Sequence, residues 1–163
     1  MGVIAKTNNG FQLLAIKKIQ ETELATIHSI RRTNIIVKVQ NNVLLHYNEQ
    51  QQHWELPHGK RKKVETSFEA IKRGWTKLTN SSIDNEPLKL KYLLMIKNPD
   101  GEIRYNPIFY LEKEILLLEE TPNLRLWDTQ EDIGPIDPIH LKIIQNLPWT
   151  TTKTQQPEVN EAL

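Results

Sequence analysis

Short apolar runs separated by polar turn residues dominate this chain, and helical spacing takes over only locally. Phe11 to Ile19 (FQLLAIKKI) reads as an opening strand, followed by a short polar turn or helical piece at Gln20 to Leu24. Ile30 to Val39 carries a β-branched centre, Ile35-Ile36-Val37, and is a central strand. Asn41-Asn42 is a turn dipeptide that returns the chain through Val43 to Tyr47, giving a hairpin. After a polar connection at Asn48 to Gln52, Trp54-Glu55-Leu56 is strand-forming and stops at Pro57, which cannot donate to a sheet ladder.

The pattern then changes period. Phe68, Ile71, Trp75 and Leu78 recur at steps of three and four, which predicts an amphipathic helix. Thr66 or Ser67 can cap its start, and Asn80 suits the left-handed conformation that often ends a helix. Gly59 permits a tight turn between strand and helix, and Lys60, Arg61, Lys62 and Lys63 make that connection a basic loop. Gly74, in mid-helix, costs about 1 kcal/mol against alanine, so local helix stability does not account for it.

Beyond a polar loop at Ser81 to Pro87, Leu88 to Ile96 and Ile103 to Leu111 are paired strands around the turn signal Asn98-Pro99-Asp100-Gly101. Leu124 to Asp128 is one further short strand. Pro138 to Asn146 is a helix, with Asp137 as N-cap and Pro138 at the first helical position. These elements predict one domain over residues 1–146, with a polar, flexible tail over 147–163.

Composition narrows the chemistry. The chain has no cysteine, which excludes disulfides and thiolate metal sites. It has no apolar run of membrane-spanning length and no secretory pattern, so a cytoplasmic protein without a membrane partner is expected. Net charge is only +1, yet residues 55–80 hold seven Lys/Arg against three Glu. Positive charge is therefore concentrated on the loop and helix. The histidines His28, His46, His53 and His140 are scattered in sequence, and none joins His58 at metal-ligand spacing.

The loop and helix resemble the Nudix box, G-x5-E-x7-R-E-U-x-E-E-x-G-U, where U is a bulky apolar residue. Gly59, Glu65 and Arg73 match its spacing, Trp75 takes the first U, and the preceding WELPHGK is similar to the usual WELPGGK. Gly74 stands at the first glutamate of REUxEE, Lys77 and Leu78 at the glutamate pair, Asn80 at the last glycine and Ser81 at the last U. The resemblance implies a mixed-sheet α/β/α sandwich, with Glu65 and Arg73 bracing loop against helix.

In Nudix hydrolases the missing glutamates hold Mg2+ or Mn2+, hard cations that want oxygen ligands. Lys77 offers an ammonium and Leu78 nothing, so no metal site is assigned. Glu65 is the one catalytic candidate at the box. Glu69 could add a ligand but also suits the helix's first turn. Glu112, Glu114, Glu119 and Glu120 lie where many Nudix enzymes supply an extra acid, and nothing in the sequence selects one of them.

Two function classes follow from the resemblance. One is a catalytically impaired Nudix-like domain that binds a nucleotide-like or phosphate-bearing ligand, a nucleic acid or a partner. The other is a hydrolase of a nucleoside diphosphate linked to another moiety, using a non-standard Mg or Mn site. The candidate ligand-binding residues are Trp54, His58, Gly59, Lys60, Arg61, Lys62 and Lys63.

Overall fold

The strand Arg32–Val39, β3 in chain order, is buried along nearly its whole length and organises the sheet. A computed structural model describes residues 2–149 of the chain. Before β3 come β1 (Ala5–Lys6), β2 (Gln12–Lys17) and the short α1 (Glu21–Leu24). After it come β4 (Asn42–Asn48), β5 (His53–Glu55), β6 (His58–Lys60) and α2 (Ser67–Thr79). The chain continues through β7 (Lys89–Lys97), β8 (Ile103–Lys113), β9 (Leu124–Trp127) and α3 (Pro138–Gln145).

The sheet runs β1-β2-β7-β8-β3-β4-β5, with β6 also on β3 and β9 also on β4. It is mixed, because β3 and β8 run parallel while the other ladders are antiparallel. Side chains alternate across β3. Ile35 and Val37 join Ile71 and Trp75 of α2, whereas Ile36 joins Ile139, Ile143 and Ile144 of α3. Helices thus cover both faces, the expected α/β/α sandwich, and a strand buried on both sides needs an apolar run instead of strict alternation.

One edge of β3 is shared. Arg32, Thr33 and Asn34 pair with Lys60, Gly59 and His58 of β6, while Lys38 and Val39 pair with Val43 and Asn42 of β4. Between these ladders the edge forks, and Asn34 occupies the fork. Its amide donates to the carbonyls of Leu56 and Pro57, both at 3.3 Å, and its oxygen accepts from Asn106.

Leu147 is buried in the core beside α3, and Trp149 packs against the same cluster, its indole donating to the Ile144 carbonyl. The rest of the expected tail lies outside the described residues.

Candidate functional site

The stretch expected to be a loop is in part a strand. His58–Lys60 forms β6 against β3, and Gly59 makes no turn there. A Cβ on Gly59 would lie 2.0 Å from the carbonyl oxygen of Ala70, and one on Gly74 would lie 2.3 Å from the carbonyl oxygen of His58. The two glycines let β6 and α2 touch backbone to backbone. Tertiary packing therefore accounts for Gly74, which local helix stability did not.

Helix α2 starts at a reciprocal cap. Thr66 Oγ1 accepts from the Glu69 amide, and the Glu69 carboxylate accepts from the Thr66 amide. Glu69 is engaged in this capping box. Asn80 ends the helix with φ of 59°, the left-handed conformation its sequence suggests.

Glu65 and Arg73 meet across eight residues. Arg73 Nε donates to Glu65 Oε2 at 2.7 Å and Nη2 to Oε1 at 2.9 Å, a bidentate pair. Arg73 also donates to the Lys60 carbonyl, and the Lys62 amide donates to Glu65 at 2.8 Å. The Arg73 guanidinium, helped by the Lys62 amide, holds the Glu65 carboxyl down at about 2. Both of its oxygens are already engaged in this brace.

Beside the brace lies a cleft of about 610 Å3, lined by His46 from β4, His58 and Lys60 from β6, Lys62 from the loop, and Lys77 and Leu78 from α2. No carboxylate is among its lining residues. Nor, among the described residues, is any group of three or more His, Asp or Glu side chains arranged so that it could hold a metal ion. The cleft's side chains offer none of the carboxylate oxygens that Mg2+ and Mn2+ prefer, so they do not fit such an ion.

Several expected ligand-binding residues do other work. Trp54 is buried, edge-on to Tyr47 at 5.2 Å between centroids, with its indole donating to the Ile133 carbonyl. It is a core residue and lines no part of the cleft. Arg61 borders the cleft, with its Nε and Nη1 donating to the carbonyls of Ile30 and Glu65. Lys63 is exposed and does not reach the cleft lining. Glu112 pairs with Tyr110 and Lys38, and Glu120 accepts from the Leu126 amide, so neither acid serves the box.

Sequence reasoning missed a cluster. His46, His53, His58 and His140, scattered in the chain, converge on Glu55, which is only 2 % exposed. His53 Nε2 lies 3.2 Å from Oε1, Asn48 donates to the same oxygen at 2.8 Å, and His58 Nδ1 lies 3.4 Å from Oε2. His140 is buried just behind, its Nδ1 accepting from the Leu56 amide at 3.0 Å. Burial works to raise the Glu55 carboxyl, but His58, His140 and Asn48 outweigh it and bring it to about 2. Burial lowers His46, against the opposing pull of Glu55. The only signal in the sequence is alternation: His53 and Glu55 share a strand face, and β4 pairing sets His46 opposite Glu55.

Glu55 also borders a polar pocket of about 220 Å3 with Arg32, Arg104, Asn106 and Asp137. Arg104 Nε and Asn106 Oδ1 are buried there without hydrogen-bond partners.

No protein-family model and no curated protein matches the sequence. Solved structures do match. The chain is similar to the Bacillus subtilis pyrophosphohydrolase BsRppH, at 16% identity and a TM-score of 0.61 over 86% of this chain and 89% of that one. The fold is that of the Nudix hydrolases. It is also similar to the NUDIX domain of Shewanella oneidensis NrtR, solved with ADP ribose, at 13% identity and a TM-score of 0.57 over 78% and 96% of the two chains. A third likeness is to the Nudix hydrolase RenU of M. smegmatis, at 16% identity and a TM-score of 0.53 over 86% and 90%. The cleft beside α2 is the face that carries Lys77 and Leu78. No helix among the described residues is long and apolar enough to cross a membrane.

Proposed function

We propose that this chain is a Nudix-fold domain that binds a nucleotide-like, phosphate-bearing ligand without divalent metal, and that it has lost the metal route to hydrolysis. One observation carries the reading: the cleft beside the box helix presents Lys60, Lys62 and Lys77 with His46 and His58, and no carboxylate. Ammonium groups neutralise phosphate oxygens directly, where a hydrolase would use carboxylates to hold a metal that does so. The ADP ribose held by the NUDIX domain of NrtR makes nucleoside diphosphates the first class to test. Lys63 drops out of the ligand set because it does not reach the cleft lining, and Lys77 enters it.

The test is titration of ADP, ADP-ribose and a short single-stranded RNA in EDTA, at low and moderate salt. Binding of the diphosphates should persist without metal and weaken with salt, since exposed charges are screened over about 8–10 Å near physiological ionic strength. A Lys60→Ala/Lys62→Ala/Lys77→Ala variant should lose it. RNA binding stronger than diphosphate binding would reassign the cleft to nucleic acid, and metal-dependent product formation would overturn the reading.

A further inference from the structure

Glu55 Oε2 is a buried carboxylate oxygen with no hydrogen-bond partner. Its nearest cation-forming neighbour is His58 Nδ1, at 3.4 Å, and His58 lines the cleft. Leaving such an oxygen unpaired is unfavourable, and a proton on Nδ1 would satisfy it. With Nδ1 committed to Glu55, Nε2 is the ring nitrogen left for a ligand. A neutral imidazole has one N–H and cannot donate to both sides, whereas an imidazolium donates from both nitrogens.

The groups around His58 set when that second proton is held. Of the carboxylates, Glu55 faces it directly; Glu65 is engaged by Arg73; Asp137 caps α3 and reaches His53 at 3.8 Å. Of the cations, Lys60, Arg61, Lys62, Arg73 and Lys77 all line the cleft with it, and of these Arg73 is paired with Glu65. Of the imidazoles, His46 lies in the same cleft and His53 and His140 lie on the far side of Glu55. In the empty cleft the lysines oppose a further positive charge. A bound phosphate cancels their field and offers Nε2 an acceptor, so both terms reverse together.

We propose that phosphate binding in this cleft is proton-coupled, with His58 taking up a proton so that its imidazolium bridges the buried Glu55 carboxylate and a phosphate oxygen of the ligand. This rests on the binding reading above and adds to it a proton that enters with the ligand. His46 lines the same cleft, but burial, with the charge of His58 beside it, lowers it, so the proton is assigned to His58 alone.

The test is calorimetric titration of inorganic pyrophosphate in EDTA at about pH 7, in buffers of different ionisation heat, for the wild-type chain and His58→Gln. The probe's own titration is common to both proteins, so the difference isolates His58. Wild type should take up about one proton more than the variant, and its affinity should fall more steeply with rising pH, by at most about tenfold per unit. Nitrogen-15 NMR of the imidazoles in the wild-type chain supplies a readout free of mutation, and His58 should carry protons on both nitrogens at saturation. Equal uptake in the two proteins, or a neutral His58 ring in the saturated complex, overturns the inference and leaves the binding reading standing. Absence of pyrophosphate binding by the wild type at any pH overturns both.

Discussion

Gly59 of β6 and Gly74 of α2 meet face to face, and a Cβ on Gly74 would approach the Gly59 Cα to 2.7 Å. This contact sets how deeply the helix sits against the sheet, and so where the cleft-lining residues of α2 lie relative to His58. It also means that position 74 has no room for any side chain while β6 stays where it is.

Gly74→Ala should therefore destabilise the fold, although alanine is the better helix former. The gain in helix propensity is about 1 kcal/mol, against an overpacking cost of roughly 1–3 kcal/mol in a rigid contact. Gly59→Ala lacks the offset and should be worse. Urea melts of the two variants check this; a higher midpoint for Gly74→Ala would show that strand and helix separate easily.

Acid should reveal the Glu65–Arg73 brace. The carboxyl is held at about 2, below its ordinary value of 4.5, chiefly by the Arg73 guanidinium. A group depressed on folding stabilises the native state above its unfolded value and loses that contribution as pH falls through the folded one. Wild type should melt above Glu65→Gln at neutral pH, and the two curves should converge between about pH 4 and 2. Because both side chains are partly exposed, the gap should be smaller than for a fully buried pair. Parallel curves down to the lowest pH would mean that the pair does not stabilise the fold.

Glu55→Ala should destabilise by a different route. It leaves Asn48 and His53 without their acceptor inside the domain. An unsatisfied buried donor costs about 1–3 kcal/mol and these two are part-buried, so the melting temperature should drop by an amount matching the low end of that range. An unchanged melting temperature would show that the histidine cluster reorganises around water.

Metal affinity should be low at the box and gained by grafting. Lys77 is exposed and Leu78 half-buried at the cleft wall, so Lys77→Glu/Leu78→Glu fits the structure where Gly74→Glu does not. Calorimetry should find Mn2+ binding in the double variant that the parent lacks, since two carboxylates supply the oxygen ligands such ions prefer. Tight Mn2+ binding by the parent, lost in Glu65→Gln, would place a metal at the brace after all.

How much of this was legible in the residues depends on the range of the interaction. The β-branched run Ile35-Ile36-Val37, the helical spacing of Phe68, Ile71, Trp75 and Leu78, the Asp137-Pro138 start of α3 and the left-handed Asn80 are local signals, and the structure follows them. Glu65 and Arg73 were also readable, because a loop and the helix after it keep them near each other whatever the rest of the chain does. What local sequence cannot express is contact between distant segments. His58 to Lys60, at the start of the expected loop, became a strand because Arg32 to Asn34 offered them a ladder. Trp54 left the ligand set because Tyr47 and the Ile133 carbonyl enclose it. Gly74 acquired its reason only from the backbone of β6. The histidines acquired theirs only when β4, β5, β6 and α3 converged on one buried carboxylate. Period and capping are written within a few residues, so the sequence by itself determined most of the elements, and the resemblance to the Nudix box implied the sandwich. The identity of the cleft's wall depends on pairings across the whole chain, and only the tertiary structure decided it.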